Sequence, residues 1–303
     1  MSQAALDTLL SALTGPLTLV DVGARWGVHD RWAALGDHAR IIGFDPDPEE
    51  CERLAAASPA NVRYVPLGLA ETEGPRTLYV TKQPACSSLY EPIPALVAHC
   101  PALAEVMTTH TVEIPCRPLD GVLRDLDVAQ VSALKLDTQG SELDILKGGI
   151  EALSHCALID AEVEFNPIYS GQNLFCDVDR FLRDQGFVLW RLETMAHYPL
   201  EDVPAAHAQM LLHADPAPRA VTQVSNGQLF WAQAQYVRAS FPRTGAESMT
   251  REEAIPAAVL AGVYGFWDLA LELVRKTGDA MLLAALRQDL ALAPAAEPIA
   301  AGL

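Results

Sequence analysis

Basic residues are scarce in this sequence: 21 Lys and Arg stand against 39 Asp and Glu, a formal net charge of -18. Nucleic acid is not an expected partner, because no sequence-wide basic surface is available to neutralise phosphates. Cysteine occurs six times, at Cys51, Cys86, Cys100, Cys116, Cys156 and Cys176, but never as a CxxC pair. That scatter argues against both a zinc knuckle and a disulfide scaffold, and fits a reducing compartment. The opening MSQAALDTLLSALTG lacks the basic start and long apolar core of a secretory signal, so the expected location is the cytoplasm. A long uninterrupted apolar run is missing too. The nearest approach, AIPAAVLAGVYGFWDLALELV at 254–274, is broken by Pro256, Asp268 and Glu272, and charges are costly in hydrocarbon. No membrane span is expected. The stretch reads as a buried or partner-facing helix, which leaves two expectations: a homodimer through the C-terminal helices, or packing back onto the chain's own sheet.

Half of the 303 residues are hydrophobic, enough for a sizeable core. From 17 to about 190, short β-branched runs alternate with helical patterns, the signature of βαβ units and a parallel sheet. LTLVDVG and ARIIGFDPDP read as the first two strands, joined by a helical VHDRWAALGDHA. VRYVPLGLA is a third strand, and TLYVT is placed in a hairpin with it. VSALKLDTQG and CALIDAEVEF are the fourth and fifth, with SELDILKGGIEAL as one amphipathic helix between them. DVDRFLRDQG reads as a helix ended by Gly186, FVLWRLE as a strand, and GQLFWAQAQYVR as an antiparallel edge strand. The expected organisation is an N-terminal helix at 1–16, a main domain at 17–240 with a lid or insertion at about 195–225, a helical extension at 250–292, and a flexible tail at 293–303.

The first strand ends in DVGARWG. Dinucleotide folds use GxGxxG, whose middle glycine lets a pyrophosphate approach the backbone. Here the residue two after Gly23 is Arg25, and the P-loop lysine and serine are absent. The loop therefore suits a nucleoside without phosphates. S-adenosylmethionine is such a ligand: its amino-acid end needs an acid and bare backbone amides, and its ribose a carboxylate on the second strand. Asp45 ends that strand at about the ~20-residue offset of a ribose acid. The plainer alternative is that Asp21 and Asp45 only cap the helices that follow.

VDVGARWGVHDRW, IIGFDPDPEECERL, CSSLYEP, EIPCRPLD, LKLDTQGSELDILKGG, AEVEFNPIYSGQNLFCDVDRFLRDQGF and GQLFWAQAQYVR together resemble the FkbM methyltransferases. The resemblance implies an α/β fold of the Rossmann-like class I methyltransferase type. Its sheet is a mostly parallel one of seven strands with an antiparallel edge strand. The implied activity is S-adenosylmethionine-dependent O-methylation of a hydroxyl on a carbohydrate or polyketide-like natural product. By the same resemblance Asp21, Gly23, Ala24 and Gly27 fall at the cofactor's amino-acid end, Asp45 and Pro46 at its ribose, and Leu69 and Ala70 near its adenine. Asp137 lies beside the cofactor.

Methyl transfer to a hydroxyl is an in-line displacement that also needs a group to take the hydroxyl proton. Asp137 ends the fourth strand and Glu164 the fifth, both at the edge that carries the glycine loop. Asp160, Glu162 and Glu164 alternate on one face of a strand expected to be apolar on both, and suggest a polar wall. Two mechanisms follow: Asp137 or Glu164 as general base, or Asp137, Glu164 and Asn166 holding a Mg²⁺ that acidifies the acceptor. The structural alternative pairs Glu162 with Lys135. His29, just after the glycine loop, is a further base candidate, ahead of His155, His197 and His207. Ser87, Ser88, Tyr169 and Gln172 are candidate acceptor contacts, and Trp26 is one of several aromatic residues suited to stacking on a ring. A non-catalytic, cofactor-binding interaction module is the alternative from another class. A nicotinamide-dependent oxidoreductase is disfavoured by Arg25.

Overall fold

The computed structural model describes residues 2–198, 227–241 and 248–292. The chain runs from α1 (Gln3–Ser11) through β1 (Leu17–Val22), β2 (Ala39–Asp45) and α2 (Pro48–Ala57) to β3 (Val62–Pro66), β4 (Gly68–Leu69) and β5 (Gly74–Thr81). Next come α3 (Pro94–His99), β6 (Thr108–Arg117), α4 (Leu119–Asp125), β7 (Ala133–Leu136), α5 (Glu142–Lys147), α6 (Ile150–His155) and β8 (Leu158–Glu164). The described elements end with α7 (Phe175–Asp184), β9 (Phe187–Tyr198), β10 (Gln228–Arg238), α8 (Arg251–Val263), α9 (Trp267–Lys276) and α10 (Ala280–Asp289).

Two compact units divide the chain. The larger comprises Leu17–Asp30 and Ala39–Ala239. Its main sheet has seven strands in the order β3-β2-β1-β7-β8-β10-β9. The pairs from β3 to β8 are parallel, and β10 runs antiparallel to both of its neighbours. This is the mostly parallel seven-stranded sheet with one antiparallel strand that the resemblance implies. The antiparallel strand lies one place in from the rim, with β9 outside it, because β10 bonds β8 along one edge and β9 along the other. Val20, Val22, Leu134, Leu136, Ile159, Ala161 and Val163 point to one face and join Leu146, Leu153, Val178 and Leu182 of the helices in a single core. The alternation of the same strands sends Asp21, Lys135, Asp160, Glu162 and Glu164 to the other face.

Three local expectations give way. The TLYVT strand does not form a hairpin with the third: β5 pairs antiparallel with β6, and with β4 they make a separate three-stranded sheet. The helix expected over SELDILKGGIEAL is broken into α5 and α6 at Gly148 and Gly149. A Cβ on Gly148 would lie 2.6 Å from the Ala70 carbonyl oxygen, so this close approach excludes a side chain. The link between β1 and β2 is a 3-10 segment, Asp30–His38, interrupted at Gly36 where φ is 49°. Residues 195–198 of the expected lid extend β9, and 199–226 lie outside the described residues. The tail at 293–303 also lies outside them.

The smaller unit comprises Met1–Pro16, Arg31–His38 and Ser240–Leu303. α1 is tied to α10 by Thr8 Oγ1, which donates to Asp289 Oδ2 at 2.6 Å. The apolar 254–274 stretch is two helices, turned at Gly265 where φ is 76°. Nine of the thirteen residues of α8 are buried within the chain. Among the described residues no helix is long and apolar enough to cross a membrane.

Candidate active site

The carboxyl ends of β1, β2, β7 and β8 bring the predicted residues to one rim. The β1 loop bends sharply, with positive φ at Gly23 (82°), Trp26 (73°) and Gly27 (124°). A Cβ on Gly23 would sit 1.9 Å from the backbone oxygen of Asp137, so this glycine is what lets the ends of β1 and β7 touch. Gly27 differs: a Cβ there meets nothing within 4 Å. The Trp26 amide donates to Glu50 Oε1 at 3.1 Å, and the Arg53 guanidinium holds that carboxyl down to about 2.

Few amides of this loop remain bare. Gly23 N and Ala24 N both donate to the Phe44 oxygen at 3.0 Å, and Gly27 N donates to the Ala24 oxygen. His29 N donates to Asp21 Oδ2 at 2.7 Å. Asp21 is 0% exposed, and its Oδ1 lies 3.2 Å from Lys135 Nζ. Burial pushes the Asp21 carboxyl up, against the pull of Lys135 and the His29 amide. Asp21 therefore acts inside the sheet rather than at its surface.

Asp45 is the other predicted acid. Its Oδ1 caps the turn by accepting from Asp47 N at 2.9 Å, while Oδ2 has no partner among the described residues. Pro46 follows it into α2, where Asp47 accepts from the amides of Glu49 and Glu50. Leu69 and Ala70 are buried, and Ala70 N is tied to the Arg117 oxygen at 3.1 Å.

Lys135 is not paired with Glu162. Strand register sets it opposite Asp21 on one side and Asp160 on the other, and its Nζ reaches Asp21 and, at 3.5 Å, Asp137 Oδ2. His29 lies over the same row, with Nε2 3.4 Å from Asp160 Oδ2.

Gln139, which sequence reasoning missed, connects Asp137 and Glu162. Its Nε2 donates to Glu162 Oε2 at 2.6 Å and to Asp137 Oδ1 at 3.1 Å. The Tyr169 hydroxyl lies 2.8 Å from Gln139 Oε1 and 2.9 Å from the Cys86 oxygen, able to donate to one at a time. Ser88 Oγ donates to the Gln139 backbone oxygen at 2.7 Å. Gln139 lies in the left-handed region at φ 59°, next to Gly140 in a strand-to-helix turn. Glu142, also missed, ties that turn together. Its Oε1 accepts from Thr138 N at 2.6 Å and its Oε2 from Gly140 N at 2.9 Å. Gln172 Oε1 accepts from the amides of Ile168 and Tyr169.

Ser88, Tyr169 and Gln172 are thus buried around the acids, whereas Ser87 Oγ accepts from Thr81 N at 3.2 Å. Asn166 is turned away: its Nδ2 donates to the Leu229 oxygen at 2.7 Å. Among the described residues no group of three His, Cys, Asp or Glu side chains is arranged to hold a metal ion, and Asp137, Glu164 and Asn166 are not drawn into one. His155 ends α6 on the surface, His197 lies in β9, and His207 is outside the described residues.

Burial pushes Glu162 and Glu164 well above the usual carboxylate range, and the charges of Asp137 and Glu142 push them further. Glu142 is pushed up to about 7 by the same burial. Unfolded, each would lose its proton near 4.5. Folding then takes up protons above that pH, and stability falls as pH rises. Glu162→Gln keeps an oxygen for Gln139 and deletes one such group. It should match the wild type near pH 4 and exceed it in melting temperature at pH 8; equal melting at both would place Glu162 in a solvated setting.

Residues 21–189 match the methyltransferase FkbM domain, more than half of the chain. The chain belongs to the FkbM methyltransferase family. It is thereby one of the S-adenosylmethionine-dependent methyltransferases. Hexuronic acid methyltransferase AglP of Haloferax volcanii is 25% identical over 183 residues, covering 57% of this chain and 70% of that protein. Among solved structures, magnesium protoporphyrin IX methyltransferase (ChlM) from Synechocystis PCC 6803 with bound SAM aligns at 11% identity and a TM-score of 0.36, over 78% of this chain and 79% of the other. An rRNA methylase from Streptococcus thermophilus aligns at 13% identity and a TM-score of 0.34, over 77% and 93%.

Proposed function

We propose that this FkbM enzyme moves a methyl group from S-adenosylmethionine to a hydroxyl oxygen of a carbohydrate. One observation carries the reading: Asp137 presents a carboxylate with 31% side-chain exposure on the rim between the glycine loop and a wall of buried acids. The name of the Haloferax volcanii relative supports a sugar acceptor; a polyketide-like alcohol is the other acceptor class.

The residues present fit the cofactor. Asp45 offers an unpartnered oxygen for a ribose hydroxyl, Pro46 follows it, and the space beside Gly27 is open. Gly23 and Ala24 shape the floor, and Leu69 and Ala70 are assigned to the adenine side. Asp21 supports the site from beneath through Lys135. When bound, the cofactor supplies an electrophilic methyl group on a sulfonium. The chain's part is to place the acceptor oxygen in line and to take its proton. Asp137 takes that proton, held in place by Gln139 on Oδ1 and Lys135 beside Oδ2. Burial disfavours charge on Glu162 and Glu164, which leaves Asp137 as the more exposed carboxylate of the cluster. His29, over Asp160, orients the loop instead of acting as base.

The test is incubation with methyl-labelled S-adenosylmethionine and a panel of neutral sugars, hexuronates and polyketide alcohols, with and without chelator. Label on a sugar oxygen at an unchanged rate in chelator is the expected result. Label confined to polyketide alcohols would overturn the acceptor class, and a rate lost to chelator would overturn Asp137 as an unaided base. Cofactor binding without transfer to anything in the panel would favour the non-catalytic module.

A further inference from the structure

We propose that Arg25 completes the ribose subsite with Asp45, the two side chains together reading the cofactor's 2′,3′-diol; the proposal rests on the cofactor reading above. Arg25 stands where a dinucleotide loop has its second glycine. Its guanidinium lies over the start of α2, with Nη2 3.1 Å from Asp47 Oδ2 and Nη1 3.8 Å from Asp45 Oδ1. Its Nε is buried and has no hydrogen-bond partner among the described residues. Asp45 Oδ2 is likewise unpartnered, with Oδ1 already committed to the Asp47 amide.

A buried donor left unpaired is costly, and the guanidinium that carries it stands 3.8 Å from the Asp45 carboxylate. A ribose hydroxyl both donates and accepts. A carboxylate satisfies only its proton; a neighbouring guanidinium N–H satisfies its oxygen. Electrostatics point the same way. Burial and the nearby charges of Asp47 and Glu50 favour a protonated Asp45, and Arg25 is the cation that opposes them. An ionised carboxylate makes the stronger bond to a hydroxyl. The amino-acid end of the cofactor is the competing target for Arg25. The guanidinium is held against Asp47 at the start of α2, while at the end of β7 Lys135 faces Asp21 and Asp137.

Calorimetric titration of the full chain decides between these roles. The ligands are S-adenosylmethionine, S-adenosylhomocysteine, 5′-methylthioadenosine, which lacks the amino-acid end, and its 2′,3′-dideoxy counterpart. Arg25→Gln should weaken the first three by one common factor, about tenfold for a lost charge-assisted hydrogen bond, and leave the dideoxy compound unchanged. Arg25→Lys should fall between. In an Asp45→Asn background, Arg25→Gln should cost no further affinity. Loss for the first two ligands with methylthioadenosine spared would overturn the proposal in favour of the amino-acid end. Equal binding of all four by the variant and the wild type would reduce Arg25 to a surface ion pair. If the wild type binds none of these ligands, the cofactor reading fails and this one with it; if it binds them and Arg25→Gln changes nothing, only the role of Arg25 fails.

Discussion

Asp137→Asn should lower the rate of methyl transfer by about 10² to 10⁴, the span of a lost general base, while S-adenosylmethionine affinity changes little. Asparagine keeps the shape and an oxygen for Gln139 Nε2, which donates to Asp137 Oδ1 at 3.1 Å. What it removes is the capacity to hold the acceptor's proton. Single-turnover rates with a labelled methyl donor, set beside calorimetric affinity, separate the two effects. A variant that turns over at the wild-type rate would move the base elsewhere in the cluster, with Glu164 as the next residue to change. A variant that loses cofactor binding in proportion would make Asp137 a binding group.

The second large effect is on stability. Lys135→Met should destabilise the fold by about 3–5 kcal/mol, the cost of breaking a buried pair by removing one partner. Asp21 is 0% exposed and would be left with His29 as the remaining group that favours its charge. Asp137 and Asp160 would lose the same neighbour. The double variant Asp21→Asn/Lys135→Met removes both charges and should recover much of the loss, because the cost lies in the orphaned partner. Urea denaturation at pH 7 measures both. Burial pulls the Lys135 pKa down, but the nearby carboxylates of Asp21, Asp137 and Asp160 outweigh it and raise the pKa above its usual 10.5. For a cation so shifted, the stabilising contribution is fully present below the unfolded value and is lost only as pH rises through the folded one. The penalty should therefore be flat across neutral pH, and a penalty under about 1 kcal/mol, the range of an exposed pair, would show that water reaches Lys135.

Much of the site was legible from residue order alone. Asp21, Gly23, Asp45, Asp137 and Glu164 each lie at or just after the end of a short strand run, and parallel strands deliver such residues to one rim whatever the details of packing. Gln139 was not legible. Its importance comes from three partners, Asp137, Glu162 and Tyr169, and the last two are 23 and 30 residues away along the chain. No periodicity encodes a contact of that kind. The roles of Asp21 and Lys135 were half visible: both charges were plain, but which acid meets the lysine depends on strand register, and the register pairs Lys135 with Asp160 and Asp21 and not with Glu162.

By itself the amino-acid order determined the α/β alternation, the glycine bend at the end of β1 and the family, because strand runs, helix caps and tight turns are local consequences of side-chain shape and polarity. Only the tertiary structure decided that β10 slots between β8 and β9, that β5 leaves the main sheet for β6, and that Gly148 and Gly149 split one helix in two. It also decided which of the acids are buried. Each of these depends on edges and surfaces brought together from distant parts of the chain, where the competition between partners is settled by packing and desolvation and leaves no mark in the local pattern.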